Sequence, residues 1–239
     1  MNVYKISGVS ELITGNPYVG RGIIIGKSED GKSAAFAYFI MGRSANSRNR
    51  VFTEKNGEVF TKPFDLNKVE DASLIIYPAV KRFNGGVVIT NGDQTDTVID
   101  GLKKGKSFFD ALTSREFEPD FPNFTPRISG IINLKKDAFD YQMSILKSAD
   151  ERGSACNRYL FSFSPIAGLG HFIHTYITDG NPIPTFSGEP ERVKIPNGID
   201  EFADELWHAL DGDNKISLYV EYIDLKTGNC EKRLINKNK

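Results

Sequence analysis

Phe39–Phe52 reads FIMGRSANSRNRVF, an apolar strand end followed by a cluster of arginines. The apolar pattern breaks at Gly42 and resumes at the end of the stretch. Arg43, Arg48 and Arg50 stand between, among four small polar side chains. Arginine offers a planar fork of donors that fits phosphate or carboxylate, so the stretch indicates a pocket for an anionic ligand. A charged surface loop paired with acidic neighbours is the alternative that residue types alone leave open.

An apolar hairpin leads into this stretch. Val19–Lys27 is apolar on both faces through three consecutive isoleucines, which predicts a buried strand. Glu29–Lys32 has the composition of a turn, and Ser33–Met41 predicts the partner strand. Pairing of the two strands is expected to bring Arg21 toward the arginines that follow the second strand.

Hairpins dominate the rest of the chain, and no regular alternation of strands and helices suggests a parallel sheet. Ser73–Tyr77 predicts a strand that ends before Pro78, and Asp137–Ser148 predicts a helix with its apolar residues on one stripe. The other predicted elements are helices at Phe108–Arg115 and Asp200–Leu210 and strands at Gly86–Thr90, Ile128–Leu134, Arg158–Ser164 and Lys215–Ile223. The predicted fold class is α+β with mainly antiparallel sheets, and residues 1–239 are predicted to form a single domain.

Bulk composition narrows the function class. The 239 residues include 30 basic and 31 acidic side chains, for a net charge of −1, which argues against a general nucleic-acid binder. No apolar run approaches the roughly 20 residues of a membrane span, and the N-terminus lacks the apolar core of a signal peptide. Cys156 and Cys230 form neither a metal-type spacing nor a disulfide framework. We therefore expect a cytoplasmic protein with free thiols and with neither a membrane nor a nucleic acid as partner.

Two further polar clusters follow predicted strands. Asn91–Asp96 reads NGDQTD, in which Asp93 is a candidate for acid–base chemistry or for orienting an arginine. A turn followed by a helix N-cap is the structural alternative there. Glu118–Arg127 reads EPDFPNFTPR and brings two carboxylates, an amide, a hydroxyl, an aromatic ring and an arginine together between prolines. Its phenylalanines are expected to be buried, which makes it an ordered loop.

The common signatures of catalysis are absent. The chain has no Walker A motif, no dinucleotide-binding glycine motif after a strand, no HExxH and no GxSxG. Asn2 follows Met1, so removal of the methionine is expected to expose no Cys, Ser or Thr nucleophile. His171 and His174 are an odd number of positions apart on a predicted strand, so they point to opposite faces and are poor joint metal ligands. A buried structural role is the expected one for each.

Four motifs together resemble one family. They are YVGRGIIIG, AYFIMGRSANSRNRVF, TNGDQTD and EPDFPNFTPRISG, and they span residues 17–190 with their neighbouring sequence. In this order they are similar to the bacterial branch of the stand-alone IMP cyclohydrolases, relatives of the archaeal enzyme of purine biosynthesis. The resemblance implies a four-layer α/β/β/α sandwich similar to the N-terminal nucleophile hydrolase fold, without an autoprocessing nucleophile. It implies dehydrative ring closure of formamido-imidazole-carboxamide ribonucleotide to inosine monophosphate, with no metal and no redox cofactor.

The resemblance also assigns expected roles to the polar clusters. Proton transfer and charge stabilisation are expected of four candidate catalytic residues, namely Asp93, Glu118, Tyr38 and Arg43. Contact with a purine ribonucleotide is expected of Arg21, Ser44, Asn46, Arg48, Arg50, Asn91, Thr95, Asn123, Phe124 and Arg127. The arginines suit the phosphate and a developing oxyanion, since both carry negative charge. The oligomeric state is left open, with a homo-oligomer as one option.

Two other functions fit the same residues. An amide hydrolase on this fold would need a Cys, Ser or Thr nucleophile exposed by cleavage of the chain. A nucleotide-binding protein without turnover would use the same arginines and carboxylates. Mass spectrometry showing an intact N-terminus would count against the first, and tight nucleotide binding without any cyclisation rate would favour the second.

Overall fold

The structure is a computed structural model that describes residues 2–68 and 76–238. The strands are β1 (Arg21–Lys27), β2 (Ser33–Met41), β3 (Arg50–Lys55), β4 (Glu58–Pro63), β5 (Tyr77–Phe83), β6 (Gly86–Thr90), β7 (Arg127–Lys135), β8 (Ala138–Ser148), β9 (Cys156–Phe163), β10 (Leu169–His174), β11 (Glu191–Lys194), β12 (Lys215–Asp224) and β13 (Cys230–Asn236). The helices are α1 (Val9–Ile13), α2 (Ala45–Arg48), α3 (Gln94–Lys103), α4 (Phe108–Leu112) and α5 (Ile199–Ala209).

The strands form two antiparallel sheets. The first has the order β11-β10-β1-β2-β12-β13 and the second has the order β3-β4-β5-β6-β7-β8-β9. Every pair of neighbouring strands in both sheets is antiparallel. The prediction of an α+β fold with mainly antiparallel sheets is therefore confirmed.

The predicted hairpin of β1 and β2 is at the centre of the six-stranded sheet. Its register pairs Arg21 with Ile40, which is one residue before the end of β2. The side chain at the start of β1 therefore stands beside the segment that leaves β2. All three isoleucines of β1 are fully buried, as expected of a strand that is covered on both faces.

One apolar core lies between the two sheets. It joins Ile23 and Phe36 of the first sheet to Val87 and Ile132 of the second. The sheets approach closely at Gly130 on β7, where an added Cβ would lie 2.6 Å from Ile25 Cδ1. Each fully buried apolar side chain of this kind contributes roughly 1.5–3 kcal/mol, so this core dominates the packing between the sheets.

Helices cover the outer face of each sheet. Phe202 and Leu206 of α5 share a second core with Ile24 of β1, to which Val9 of α1 also belongs. The helices α3 and α4 pack on the seven-stranded sheet through a third core, which consists of Val88, Val98, Ile99, Phe108, Leu112, Ile131 and Leu146. In the described ranges, no helix is long and apolar enough to cross a membrane.

The predicted helix at Asp137–Ser148 is wrong, because this segment forms β8. Phe139, Met143 and Ile145 alternate with residues of the opposite face and enter the core between the sheets. Leu146 instead joins the core under α3 and α4. A period of two therefore describes the segment better than the helical stripe does.

The predicted strand Ser73–Tyr77 can be compared with the structure only at its last two residues, because residues 73–75 lie outside the described residues. The strand that follows, β5, does not end before Pro78 but runs from Tyr77 to Phe83. Proline cannot donate to a ladder, and the pairing of β4 with β5 has a register shift between Val59 and Phe60, next to the proline. Bulges are among the few places where a sheet tolerates proline.

Candidate active site

A cavity of about 490 Å³ opens where the β1–β2 hairpin ends. It lies between the segment after β2, the loop that enters β7 and the loop after β10. Its wall consists of Tyr18, Arg21, Arg43, Ser44, Asn46, Ser47, Arg50, Glu118, Asp120, Asn123, Thr125, Tyr176 and Ile183. The structure thus brings together residues of two of the predicted polar clusters.

The arginine-rich segment folds as one helical turn, α2, rather than as an open loop. The Ser44 hydroxyl accepts from the Ser47 backbone N–H at 3.1 Å, and the Ser44 N–H donates to Ser47 Oγ at 3.0 Å. This reciprocal cap closes the turn tightly. Gly42 is required there, since a Cβ would lie 2.5 Å from Ser47 Oγ.

The three arginines of this segment have different positions. Arg43 reaches the cavity, pairs with Asp179, donates to the Gly180 carbonyl at 2.9 Å and lies over the Tyr18 ring at 5.2 Å. Arg50 lines the cavity from within the protein, with 1% of its surface exposed. Arg48 lies outside the cavity.

Buried contacts hold Arg50 in place. Its Nε donates to the Ser47 carbonyl at 2.6 Å and its Nη2 to the Met41 carbonyl at 3.1 Å. Burial, and after it the nearby charge of Arg21, lowers the pKa of Arg50 below its ordinary value. Two cationic side chains at one end of a cavity make that end strongly attractive to an anion.

Arg21 and Asn46 add unused polar atoms to the same wall. Within the described residues, Arg21 Nε and Asn46 Oδ1 are buried and have no hydrogen-bond partner. Burial alone would lower the pKa of Arg21, but the Glu118 carboxylate and neighbouring tyrosines raise it above its ordinary value. Buried polar atoms are rarely left unpaired, so these two atoms indicate the contacts of a polar ligand.

Glu118 faces these arginines from the loop before β7. It is buried, and its backbone N–H donates to the Thr125 carbonyl at 2.9 Å, which fixes the loop. Burial raises the pKa of Glu118 above its ordinary value, and the charges of Arg21 and Arg127 oppose this rise. A buried carboxyl with a raised pKa beside an anion-binding wall is suited to proton transfer.

A hydrogen-bonded chain of three residues also lines the cavity. Asp120 accepts from the Thr125 backbone N–H at 2.6 Å and from the Thr125 hydroxyl at 2.5 Å. Thr125 Oγ1 also lies 2.5 Å from the Tyr176 phenol oxygen. The Tyr176 ring stacks on Tyr18 with 5.7 Å between the ring centroids.

The NGDQTD cluster lies behind Glu118 and not on the cavity wall. Asn91 Oδ1 accepts a hydrogen bond from the Ile128 backbone N–H at 2.9 Å. The hydroxyl oxygens of Thr90 and Thr95 lie 2.6 Å apart and share a second hydrogen bond. These contacts give the Asn91 and Thr95 side chains a structural role in the turn.

Asp93 and Arg127 form an ion pair next to this turn. Arg127 Nη1 lies 2.7 Å from Asp93 Oδ1, and Arg115 contacts the same carboxylate oxygen. Burial opposes ionisation of Asp93, but the Arg115 hydrogen bond and the charge of Arg127 lower its pKa below its ordinary value. Arg127 also donates to Gln94 Oε1 at 2.8 Å, so it braces the turn rather than the cavity.

Tyr38 and Phe124 also lie away from the cavity wall. Tyr38 is fully buried, its phenol oxygen is 2.8 Å from that of Tyr77, and burial raises its pKa. Phe124 lines an adjoining groove of about 740 Å³. The prediction that the phenylalanines of this loop are buried is wrong for Phe121, which is 76% exposed, and Phe117 and Phe124 are only partly buried.

Sequence reasoning did not single out six residues of the wall as site residues. They are Tyr18, Ser47, Asp120, Thr125, Tyr176 and Ile183. Ser47 lies inside the arginine stretch, and Asp120 and Thr125 lie inside the proline-bounded cluster, so their motifs were a usable signal. Tyr176 and Ile183 arrive from a distant part of the chain, and no local pattern marks them.

Both histidines of β10 are buried structural residues, as expected. His171 Nδ1 lies 2.6 Å from the Tyr141 phenol oxygen, and its ring stacks on Phe163. His174 Nδ1 lies 2.6 Å from the Tyr176 carbonyl, and its Nε2 is 3.3 Å from Glu191. Neither residue lines the cavity.

His171 is expected to make stability depend on pH. Burial, and then the charge of Arg192, lowers its pKa from the ordinary 6.5 to about 4. The folded state therefore favours neutral His171, and this contribution is complete above pH 6.5 and is lost as the pH falls toward 4. Urea unfolding of His171→Gln should show a shallower fall of the unfolding free energy across this window than the wild type.

His208 provides the matched control, because it is exposed on α5. His208→Gln should keep the wild-type slope. An equal slope in the His171→Gln variant would contradict the assignment.

The described residues contain no group of three or more His, Cys, Asp and Glu side chains that could hold a metal ion. Cys156 and Cys230 are free thiols, as predicted.

The fold and the cavity define a class: an α+β protein of two antiparallel sheets with an arginine–carboxylate cavity at the strand ends. Residues 18–228 match the family model described as IMP cyclohydrolase-like protein. An IMP cyclohydrolase of Methanococcus aeolicus is 33% identical over 120 residues, covering 48% of this chain and 58% of that protein. One of Methanopyrus kandleri is 35% identical over 115 residues, covering 47% of this chain and 57% of that protein.

A third relative, the IMP cyclohydrolase of Methanococcus maripaludis, is 34% identical over 148 residues, which cover 58% of this chain and 71% of that protein. The chain spans less than two thirds of the length of the first two relatives. It belongs to the IMP cyclohydrolase-like family, as the four motifs predicted.

Proposed function

We propose that the protein is an IMP cyclohydrolase. It closes formamido-imidazole-carboxamide ribonucleotide to inosine monophosphate and releases one water. The observation that carries the proposal is the cavity in which Arg21 and Arg50 stand beside the buried Glu118 carboxyl. Family membership supports the same reaction, since the relatives above carry the name of this enzyme.

Substrate binding is assigned to the cationic end of the cavity. The substrate phosphate is a dianion, and Arg21, Arg43 and Arg50 supply donors of matching charge and geometry. Ser44 and Asn46 stand among them as further hydrogen-bonding groups. Holding the two reacting groups of one molecule face to face supplies a large part of the acceleration.

The chemical step requires the carboxamide nitrogen to attack the formyl carbon. We assign removal of the nitrogen proton to the Glu118 carboxylate, because it is the carboxyl of the wall that is buried and has a raised pKa. The formyl oxygen gains negative charge, which an arginine stabilises. It leaves as water with two protons, the one that Glu118 takes from the carboxamide nitrogen and the one that the formamido nitrogen loses as the ring double bond forms. Asp93, held between two arginines, and Tyr38, bonded to Tyr77, are less suited to this role.

The proposal extends to the whole fold and its setting. The cores between the sheets and under the helices support a four-layer α/β/β/α sandwich of the N-terminal nucleophile hydrolase type. We propose a single domain that works in the cytoplasm on a small-molecule nucleotide and without a cofactor.

A cyclisation assay tests the proposal. Purified protein is mixed with the formylated carboxamide ribonucleotide, and absorbance is followed as the purine ring forms, with and without EDTA. A protein-dependent rate that EDTA leaves unchanged is the expected result. Nucleotide binding without a rate above the spontaneous background would favour the non-catalytic alternative, and release of formate would favour the amide hydrolase.

Arg48→Gln should leave this activity within about twofold of the wild type, since the residue lies outside the cavity. Arg48 Nε donates to the Gly42 carbonyl at 3.1 Å and its Nη2 to Asn214 Oδ1 at 2.7 Å. Losing these bonds should lower the unfolding free energy by about 1–2 kcal/mol. Kinetics and denaturant unfolding of one preparation separate the effect on activity from the effect on stability. A large loss of kcat/KM would contradict the prediction and indicate that Arg48 contributes to the active site.

A further inference from the structure

Three side chains of the cavity wall form a continuous chain of hydrogen bonds. Asp120 Oδ1 accepts from the Thr125 backbone N–H at 2.6 Å, and Asp120 Oδ2 lies 2.5 Å from Thr125 Oγ1. Thr125 Oγ1 lies 2.5 Å from the Tyr176 phenol oxygen. All three residues line the cavity, which places the chain of hydrogen bonds within reach of a bound ligand.

The chain has a fixed direction. A carboxylate only accepts hydrogen bonds, so the one hydroxyl proton of Thr125 is donated to Asp120. Thr125 Oγ1 then has only lone pairs left for its second neighbour. The Tyr176 phenol must therefore donate its own proton to Thr125.

The Tyr176 oxygen is left with lone pairs and without a proton to offer to a ligand. The ring cannot easily turn away, because 2% of the residue is exposed and the ring stacks on Tyr18 with an interplanar angle of 25°. Burial raises the pKa of Tyr176, which keeps the phenol neutral. The group is thus a preorganised acceptor.

We propose that the Tyr176 phenol oxygen accepts a hydrogen bond from a carboxamide N–H of the substrate, and that Asp120 sets this polarity through Thr125. This inference rests on the proposed function. The carboxamide nitrogen carries two protons; one is held by Tyr176, and the other is the proton that Glu118 removes as the nitrogen attacks. Tyr176 thereby selects an amide over a carboxylate at this position, since a carboxylate offers no donor.

Asp120→Asn is expected to reverse the chain. The Thr125 backbone N–H requires an acceptor at the Oδ1 position, so the amide oxygen takes that place and the NH₂ group faces Thr125 Oγ1. The amide then donates to Thr125, Thr125 donates to Tyr176, and the Tyr176 proton points into the cavity. The side-chain shape is unchanged, so folding should be preserved.

Two ligands that lack the formyl group test whether Tyr176 accepts or donates a hydrogen bond, because they bind without reacting. They are aminoimidazole carboxamide ribonucleotide and aminoimidazole carboxylate ribonucleotide, with Kd values measured by calorimetry. The wild type should prefer the carboxamide. In Tyr176→Phe this preference should fall by about tenfold, the value of one hydrogen bond, and in Asp120→Asn it should shift by about tenfold or more toward the carboxylate.

The double variant Asp120→Asn with Tyr176→Phe separates the effect of the Tyr176 hydrogen bond from the effect of the Asp120 charge. Removing the Asp120 charge favours a carboxylate ligand by itself, and this effect does not need the phenol. We expect most of the Asp120→Asn shift to vanish when it is measured in the Tyr176→Phe background. A shift of full size there would show that charge alone acts, and it would overturn the proposal.

Thr125→Val and Thr125→Ser complete the set. Valine keeps the Asp120 charge but breaks the chain, so the preference should fall toward that of Tyr176→Phe; serine keeps the hydroxyl and should behave as the wild type. Wild-type cyclisation with unchanged preference in every variant overturns only this inference. Wild-type preference for the carboxamide without cyclisation overturns only the proposed function. Failure of the wild type to bind either probe overturns this inference, and it overturns the proposed function as well only when cyclisation is also absent.

Discussion

Replacing Glu118 by Gln is expected to lower kcat by about 10²–10⁴-fold, the usual contribution of a positioned acid–base group. The carboxylate is the proposed acceptor of the carboxamide proton, and a neutral amide cannot take it. Glutamine has nearly the same shape, so the nucleotide should still bind. Steady-state kinetics should therefore show the loss in kcat with a smaller change in KM.

The pH profile gives this prediction a second readout. Glu118 acts as a base only when ionised, and its pKa lies above the ordinary 4.5 because it is buried. The wild-type rate should rise with pH through this raised pKa and then level off. In Glu118→Gln, this acid limb should disappear from the residual rate.

Glu116 is the matched control, because it lies in the same loop with its side chain 63% exposed. Glu116→Gln should keep the wild-type rate and profile. Near-normal kcat in Glu118→Gln would remove Glu118 from the chemical step and direct attention to Asp120.

Replacing Arg21 by Gln is expected to weaken nucleotide binding by about 100-fold or more, since charged hydrogen bonds contribute about 1.5–3 kcal/mol each. Arg21 Nε is buried and finds no hydrogen-bond partner in the part of the chain that the structure describes, and the residue lies near Arg50. An anion at this position gains both charge and hydrogen bonds. The loss should appear mainly in KM, because phosphate binding is common to the ground state and the transition state.

Thermal unfolding in the presence of inorganic phosphate tests the same site without the reaction. A ligand that binds only the folded state raises Tm, so phosphate should stabilise the wild type more than Arg21→Gln. Arg48→Gln should respond as the wild type. An equal phosphate response in Arg21→Gln would place the phosphate elsewhere.

Arg21 is also expected to shift the pH dependence of the reaction through the pKa of Glu118. The Arg21 charge lowers the pKa of Glu118 against the effect of burial. Without it, the acid limb of the residual Arg21→Gln activity should move to higher pH. A profile at the wild-type position would mean that the two groups are not coupled.

Local pattern was sufficient for the central hairpin and the antiparallel sheets. The run Ile23–Ile25 is apolar on both faces because a core lies on each side of the sheet. The same reasoning failed for β8, whose inward residues fit a helical stripe and a strand almost equally. Strict alternation along Lys215–Ile223 would put Ile216 on the same face as Leu218, which enters the core under α5. A register shift between Lys215 and Ser217 instead puts Ile216 in the core between the sheets.

The candidate site was predictable where one motif supplies several wall residues. Arg43, Ser44, Asn46 and Arg50 come from a single stretch, and all line the cavity. The sequence of this stretch does not predict that the Arg48 side chain points away from the cavity. Its direction depends on where the one-turn helix α2 begins, because that sets which residues face the cavity. The partner Tyr176 depends on the pairing of β10 with β1, which no local pattern encodes.

The cavity wall is shared between the sheets: Arg21 belongs to β1, and Thr125 precedes β7. Neither sheet carries a complete site, so ligand binding reports on the docking of one sheet against the other. A partly unfolded molecule could keep its strands, and hence its far-ultraviolet circular dichroism, after the core between the sheets has loosened. In such a state Arg21 of β1 would separate from Arg50 of β3 and from Glu118, which precedes β7, and affinity for the nucleotide would be lost before secondary structure.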